Sequence, residues 1–254
     1  MNEVLAVPLR AVGGFFELAG DVARAAVRPP FQRREFIDQA WFIARVSMFP
    51  TLMVAIPFTV LVSFTLNILL REIGAADLSG AGAAFGSITQ IGPMVTVLIV
   101  AGAGATAICA DLGARTIREE IDAMKVLGID PIHRLVVPRV LASMFVAAML
   151  NGLVSTIGIL GGFLFSVFLQ DVNPGAFVNG ITLLTHLPEV VFSEIKAMLF
   201  GLVAGLVACY LGLNVKGGPK SVGDAVNQTV VFAFMALFVI NVVVTAISIK
   251  FTAR

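Results

Sequence analysis

Five stretches of this chain carry no charged side chain and are long enough to cross a lipid bilayer. They cover residues 46–70, 78–110, 140–170, 197–215 and 225–249. A transmembrane helix needs about 20 mainly apolar residues, so each stretch accounts for one span. The start of the second stretch, residues 78–89, is rich in Gly, Ala and Ser and predicts a loop before the span. A sixth span would require residues 172–188 to fold inward, but their Asn, Gly, Thr and Pro content favours a short half-helix at the outer surface. The chain is therefore predicted to be an all-α integral membrane protein with five transmembrane helices.

The composition agrees with lipid as the main solvent of the chain. Hydrophobic residues make up 58% of the 254 residues and charged residues 13%, whereas soluble domains contain about 25% charged residues. These values exclude an ordinary cytosolic enzyme, a disordered protein and a nucleic-acid-binding protein. Cys109 and Cys209 lie within apolar runs, where they are predicted to be small core residues.

The sequence contains no recognisable catalytic or metal-binding motif. His133 and His186 are predicted to lie on opposite sides of the membrane, and neither is accompanied by further ligands. The nearest approach to a phosphate-binding loop, Lys220-Ser221, follows Pro219 where that motif requires a glycine. We therefore expect no catalytic residue, no metal site and no cofactor bound by this chain itself.

The placement of lysine and arginine predicts how the spans are oriented. The segment before the first span and the connections between spans two and three and between spans four and five hold 13 of the 17 basic residues. The remaining four are Arg71, Lys196, Lys250 and Arg254. Because cytoplasmic segments are enriched in basic residues, we predict a multi-pass plasma-membrane protein with a cytoplasmic N-terminus and an external C-terminus.

The first forty residues form an amphipathic segment. Apolar side chains recur on one face at helical spacing, at Leu5, Leu9, Val12, Phe16 and Ala19. This pattern predicts a helix lying in the membrane interface, although a solvated leader before the first span would also fit. Arg28-Pro29-Pro30 is expected to end the helix, and Trp41 suits an interface anchor.

A second amphipathic segment lies between spans two and three. Thr116 to Glu119 matches a capping box that would open a helix. Ile117, Ile121 and Met124 mark its apolar face, and Arg118, Asp122 and Lys125 lie opposite. Gly128 and Pro131 are expected to stop the helix. Two interpretations fit this pattern: a surface helix lying on the membrane, and a helix that docks into a cytoplasmic partner.

Charged residues at the edges of the spans are candidates for a function within the membrane. They are Asp111 at the end of span two and Glu194 and Lys196 at the start of span four. Ionisable groups are costly there and are usually kept for a role, but simple snorkelling to the interface is the alternative. Pro57, with Pro50, is expected to kink the first span, and such kinks can line a cavity.

Several blocks of the sequence resemble the MlaE/YrbE family of ABC transporter permeases. The blocks are residues 101–113, the Glu-Glu-Ile-Asp-Ala-Met run at 119–124, Ile129-Asp130-Pro131, and Val137-Pro138-Arg139. Residues 13–16, 28–30 and 216–220 further resemble the YrbE A-type subunit of actinobacterial Mce systems. The resemblance covers the whole chain and implies a permease domain over residues 41–254, preceded by the interfacial segment 1–40.

The resemblance also implies partners and site residues. It makes the cytoplasmic segment a coupling helix that sits in a groove of a separate ATPase, which binds ATP and Mg²⁺. The coupling residues would be Arg118, Glu119, Glu120, Asp122, Ala123 and Met124. The resemblance favours roles for Asp111 and Lys196, which together with Glu194 and Pro57 are the candidate residues of the lipid path. Further partners would be a second YrbE-type permease subunit, forming a heterodimer, a periplasmic hexamer of MCE proteins, and the lipid itself.

The function implied is ATP-driven movement of hydrophobic lipids, such as fatty or mycolic acids, sterols or phospholipids, across the cell envelope. Ala103 stands where many family members have an arginine, so the resemblance does not imply the role of that arginine for this chain. A membrane scaffold for an MCE assembly and a secondary lipid transporter are the alternative functions. The lack of charges in the middle of the spans argues against a secondary transporter.

Overall fold

The computed structural model describes the backbone of residues 2–75 and 78–252 and the side chains of residues 12–75, 78–248 and 250. The side chains of Leu5, Leu9 and Arg254, named above, lie outside the described residues. The described chain folds into eight helices. We number them α1 to α8 in chain order.

The N-terminal region contains two helices separated by a proline turn. Helix α1 (Asn2–Ala26) ends before Arg28-Pro29-Pro30, as predicted, and α2 (Arg33–Glu72) follows. With 40 residues at 1.5 Å each, α2 is about 60 Å long, roughly twice the thickness of the hydrocarbon layer. It therefore contains the first span together with an additional helical extension.

Five helices are long and apolar enough to cross a membrane, which confirms the predicted fold class. They are α2, α3 (Ser79–Ile117), α5 (Ile132–Gln170), α7 (Leu187–Leu213) and α8 (Pro219–Thr252). Two shorter helices connect them. Helix α4 (Glu120–Val126) lies between the second and third spans, and α6 (Pro174–Leu184) lies between the third and fourth.

The prediction of a loop over residues 78–89 is wrong, because α3 begins at Ser79. Its Gly- and Ala-rich first turns pack against α6. A Cβ atom on Gly80 would clash with the backbone carbonyl of Phe177, and one on Gly180 would lie 3.1 Å from the backbone nitrogen of Ala81. Small residues let helices approach closely in lipid, so here they indicate a helix contact and not a loop. The helix predicted within residues 172–188 is present as α6, where Asn173 Oδ1 accepts hydrogen bonds from the first turn.

The described residues group into two compact units, and the long helices contribute to both. The first unit comprises the chain up to Val46, Val100–Val146 and Gly201–Leu237. The second comprises Ser47–Ile99, Ala147–Phe200 and the chain from Phe238 onward.

The first unit contains both cysteines as buried core residues, as predicted. In this unit Tyr210 of α7 packs against α1, with its ring centroid 6.0 Å from that of Phe15. In the second unit, Phe177 of α6 is fully buried, and its ring centroid lies 5.4 Å from that of Phe163.

Candidate functional site

Helix α4 begins at a sharp reversal of the backbone after α3. Glu119 adopts the left-handed conformation with φ 59°, and α4 starts at the next residue. The predicted capping box is wrong, because Thr116 belongs to the last turn of α3. Its hydroxyl donates to the carbonyls of Leu112, at 2.9 Å, and Gly212, at 3.1 Å. The hydroxyl thus ties α3 to α7, and the Glu119 side chain makes no capping bond.

Helix α4 ends at a Schellman motif built on Gly128, as the glycine predicted. Gly128 has φ 74° and donates its N–H to the Lys125 carbonyl at 3.0 Å. The Ile129 N–H donates to the Met124 carbonyl at 2.9 Å. These two bonds satisfy carbonyls that would be left without partners at the end of the helix. The segment is thus held as a defined single helix of two turns.

The two faces of α4 differ in exposure. Ile121 is buried and Met124 is half-buried, which places the predicted apolar face inward. The outward face is exposed and consists of Arg118, Glu119, Asp122, Ala123, Lys125, Val126 and Leu127. Val126 is 86% exposed and Leu127 is 75% exposed. This face presents apolar and charged groups side by side, which fits both interpretations of the segment, a helix that docks into a partner and one that lies on the membrane surface.

Glu120 points back along the chain to arginines at the end of α3. Its Oε1 lies 2.9 Å from Arg118 Nε, and its Oε2 lies 3.7 Å from Arg115 Nη1. The predicted coupling residues therefore do not share one role: Glu120 joins α4 to α3, whereas Asp122 and Ala123 face outward.

The pair Glu120–Arg115 continues into a network of ion pairs across four helices. Arg115 Nε lies 3.3 Å from Asp111 Oδ2. The same oxygen accepts a 2.6 Å hydrogen bond from Arg139 Nη2. Arg139 Nη1 lies 3.5 Å from Glu35 Oε1 of α2. A continuous chain of charges thus connects α4 through α3 and α5 to α2.

Sequence reasoning missed the role of Arg139 in this network, and it did not single out Glu35. The Arg139 side chain is fully buried, and its Nη1 also donates to the Leu135 carbonyl at 2.9 Å. In the sequence, Arg139 counted as a basic residue near a span and as the end of the Val137-Pro138-Arg139 block. The spacing of four residues between Asp111 and Arg115 could have indicated their pairing, but no local pattern connects Arg139 to either Asp111 or Glu35.

Glu194 takes part in a polar network within the second unit. Its Oε1 accepts a hydrogen bond from Asn151 Nδ2 at 3.1 Å. The same amide donates to Ser193 Oγ at 3.0 Å, and that hydroxyl donates to the Ile88 carbonyl at 2.7 Å. Ile88 lies in the π-helical turn Ser87–Ile91, where the widened helix disrupts the regular hydrogen bonding of the backbone. The network therefore joins α3, α5 and α7.

Lys196 lies on the other side of α7 from Glu194. Two residues along a helix correspond to a rotation of about 200°, so the two side chains contact different neighbours. Lys196 is buried, and its Nζ donates to Thr245 Oγ1 of α8 at 3.0 Å. The Thr245 hydroxyl in turn donates to the Asn241 carbonyl at 2.6 Å. The structure does not bring Glu194 and Lys196 together.

An apolar recess of about 150 Å³ lies beside Asn241 in the second unit. Its lining includes Phe58, Met94, Val95, Leu98, Phe238 and Asn241. Pro57, the remaining predicted lipid-path residue, is exposed and adjoins Phe58 in sequence. The recess has the size and apolar lining to accept part of an acyl chain.

Comparison with known proteins identifies the family. The model of the family described as "Permease MlaE" matches residues 36–247. A probable ABC transporter permease protein of Synechocystis sp. is 32% identical over 91% of this chain and 88% of its own length. The intermembrane phospholipid transport system permease protein MlaE of Haemophilus influenzae is 26% identical over 71% of this chain and 69% of its own length.

A further relative comes from a plant. The chloroplast protein TRIGALACTOSYLDIACYLGLYCEROL 1 of Arabidopsis thaliana is 30% identical over 62% of this chain and 45% of its own length. The family match covers α3, α5 and α7 in full and most of α2 and α8. This chain, a multi-pass membrane protein, therefore belongs to the MlaE permease family.

Proposed function

We propose that this chain is the permease subunit of an ATP-driven transporter that moves hydrophobic lipids across the cell envelope together with MCE proteins. Residues 41–254 would form the permease domain, and residues 1–40 would lie in the interface of the plasma membrane. The N-terminus and α4 would be cytoplasmic and the C-terminus external. A separate subunit would bind and hydrolyse ATP with Mg²⁺. A second YrbE-type permease, as in actinobacterial Mce systems, would complete the membrane part.

The observation that carries this proposal is the outward face of α4. Val126 and Leu127 are exposed apolar side chains on a helix whose two ends are defined by Glu119 and the Schellman motif. Large exposed apolar side chains next to charged ones favour a protein partner. Because Glu120 links α4 to the ion-pair network, a force applied to α4 by the ATPase would reach α2, α3 and α5.

The lipid path would run past Lys196 and the apolar recess beside Asn241. An acyl chain needs only apolar neighbours, and the recess supplies them. The ammonium group of Lys196 would pair with an anionic headgroup or carboxylate. The name of the Haemophilus influenzae relative assigns it to a phospholipid transport system, which supports phospholipid as one class of substrate. A role of Asp111 in the path stays a prediction, and its bonds to Arg139 and Arg115 favour a role in holding the helices together.

The experiment that tests the coupling role changes the outward face only. Glu120→Lys would also break contacts within the chain, so Leu127→Asp and Val126→Asp are better variants. We expect both to lose the ATPase on affinity purification of the complex and to abolish ATP-dependent lipid transfer in proteoliposomes. The matched control is Ile73→Asp, at a residue that is 73% exposed, close to the 75% of Leu127, but lies in the second unit.

The outcomes distinguish the proposal from its alternatives. Retention of the ATPase by both α4 variants would contradict the coupling role. Retention of MCE proteins without any ATP-dependent lipid transfer by the unaltered complex would favour a scaffold. Lipid transfer driven by an ion gradient without ATP would favour a secondary transporter.

A further inference from the structure

A polar cleft lies in the first unit, separate from the outward face of α4. Its volume is about 530 Å³. One wall is the turn between α1 and α2, and the other comprises Met124 of α4, the segment between α4 and α5, and the first turn of α5. The polar lining consists of Arg28, Gln32, Asp130, His133 and Arg134, and the apolar lining of Pro29, Pro30, Met124 and Ile129.

Two hydrogen bonds connect the walls of the cleft. Arg134 Nη1 donates to Gln32 Oε1 at 2.6 Å. His133 Nε2 lies 3.2 Å from the Arg28 carbonyl, and because a carbonyl oxygen can only accept, this nitrogen carries the proton. The Arg134 guanidinium is thus already positioned by its bond to Gln32, and the backbone of Arg28 is held by His133, so less reordering is needed when a ligand binds.

The charge balance of the cleft is positive. Two guanidinium groups and an imidazole face one carboxylate, that of Asp130, whose Oδ1 accepts from the Ile132 N–H at 2.9 Å. Among the side chains that the structure describes, neither Arg28 nor Arg134 forms an ion pair with a carboxylate within 4.0 Å. Both are exposed to the cleft and to solvent. Guanidinium groups without a carboxylate partner are well suited to bind phosphate oxygens.

We propose that this cleft binds a phosphate-bearing anion. The guanidinium groups of Arg28 and Arg134 would bind the phosphate oxygens, while the bond from His133 Nε2 to the Arg28 carbonyl holds the two walls together. Pro29, Pro30 and Met124 would pack against the apolar part of the molecule that carries the phosphate. The phosphate could come from the headgroup of an anionic phospholipid or from a soluble phosphate ester, since both have the same recognisable chemistry.

The position of the cleft gives its ligand access to α4. Met124 lies on α4, and its carbonyl accepts the Ile129 N–H that closes the helix. A ligand in the cleft would therefore contact both the end of α4 and the turn that precedes α2. The polar residues of the cleft are assigned neither to the lipid path nor to the predicted coupling residues, so anion binding there does not depend on the proposed transport function. Met124 is also a predicted coupling residue, and it contributes to the apolar lining.

The test uses the full chain in nanodiscs and counts bound anions by native mass spectrometry. The probes are phosphatidylglycerol in a phosphatidylcholine bilayer, and glycerol 3-phosphate added to a bilayer of phosphatidylcholine alone. The double variant Arg28→Gln/Arg134→Gln should lower the affinity for the bound probe about tenfold or more, the loss expected for hydrogen bonds from charged groups. The matched control is Arg34→Gln/Arg45→Gln, two exposed arginines outside the cleft.

A second variant keeps the walls of the cleft connected. Gln32→Glu retains an acceptor for Arg134 but places a carboxylate in the cleft, so it should weaken anion binding without loosening the structure. Preferential retention of phosphatidylglycerol would identify a lipid headgroup as the ligand, and binding of glycerol 3-phosphate alone would identify a soluble ester. Equal anion binding by the unaltered chain and both cleft variants would overturn the proposal. So would loss of the ATPase from the cleft variants with anion binding unchanged, since the cleft would then be a protein contact.

Discussion

Asp111 of α3 and Arg139 of α5 form a 2.6 Å charge-assisted hydrogen bond in which the guanidinium is fully buried. Asp111 Oδ2 also lies 3.3 Å from Arg115, whereas Arg139 reaches Glu35 of α2 at 3.5 Å. A buried charge is tolerated only when it is paired and hydrogen-bonded. Arg139 is therefore held by two carboxylates from different helices, and it links three helices of the first unit.

Asp111→Asn should destabilise the protein strongly. Removing one partner of a buried ion pair leaves the other charge uncompensated and costs about 3–5 kcal/mol. The lower end is expected here, because Glu35 remains near Arg139. Thermal unfolding of the purified protein in detergent would measure the loss.

The matched control for Asp111→Asn is Arg115→Gln, which removes the other cation from the same carboxylate. Arg115 is partly exposed, and an exposed pair at this helical spacing contributes only about 0.3–0.5 kcal/mol. The double variant Asp111→Leu/Arg139→Met should recover part of the stability, since an apolar pair can replace a buried ion pair. Equal effects of Asp111→Asn and Arg115→Gln would refute a special role for the buried pair.

Local patterns were enough to predict the spans and the end of α4. A span is recognised by an uncharged run of about 20 residues, which consecutive residues show by themselves. The glycine that ends α4, Gly128 with φ 74°, is recognised in the same way. The Asp111–Arg139 pair could not be predicted in this way, because it depends on how α3 and α5 pack. The capping box failed for the same reason: the hydroxyl of Thr116 bonds to Gly212 on a distant helix.

Gly80→Ala should separate α3 from α6. The added Cβ would clash with the backbone carbonyl of Phe177, which cannot move as a side chain can. Overpacking of this kind costs about 1–3 kcal/mol, and a lower unfolding temperature would reveal it. In Gly86→Ala, on the same helix, the Cβ would meet no atom within 4 Å. That control should be neutral or slightly stabilising because alanine favours the helix, and a similar loss in both variants would contradict the packing argument.

The error over residues 78–89 has a physical cause that applies to other membrane proteins. Glycine and serine indicate loops in water because neither favours a helix there. In lipid they indicate close helix contacts, as between Gly80 and Phe177. The same composition therefore predicts a loop in water and a close helix contact in lipid, and only the structure shows which contact Gly80 makes.

Gly128→Ala should loosen the end of α4. A residue with a Cβ costs about 1–2 kcal/mol in the left-handed conformation, and the two bonds of the Schellman motif would weaken. Faster hydrogen exchange at the amides of Gly128 and Ile129 would measure this effect. Asparagine tolerates positive φ, so Gly128→Asn should exchange more slowly than Gly128→Ala. Gly223→Ala, where the added Cβ meets no atom within 4 Å, serves as the control, and unchanged exchange in Gly128→Ala would show that the motif does not hold the helix.

Lys196→Met should lower lipid transfer without loss of assembly, if the ammonium group pairs with an anionic headgroup as proposed. Methionine keeps most of the apolar stem of lysine and removes only its charge. A hydrogen bond to a charged group contributes about 1.5–3 kcal/mol, so the rate of transfer in proteoliposomes should fall about tenfold or more. The complex should still contain the ATPase on size-exclusion chromatography.

Thr245→Val tests whether Lys196 acts through its charge or through its contact with α8. The hydroxyl of Thr245 is the acceptor that Nζ contacts at 3.0 Å, and valine removes it while the ammonium charge remains. Since the oxygen is uncharged, its loss should reduce transfer less than Lys196→Met does, and Lys196→Arg should retain most of the activity. A normal rate in Lys196→Met would exclude headgroup pairing. A loss in Thr245→Val as large as in Lys196→Met would assign Lys196 to the packing of α7 against α8, because removing the contact alone would then account for the whole effect.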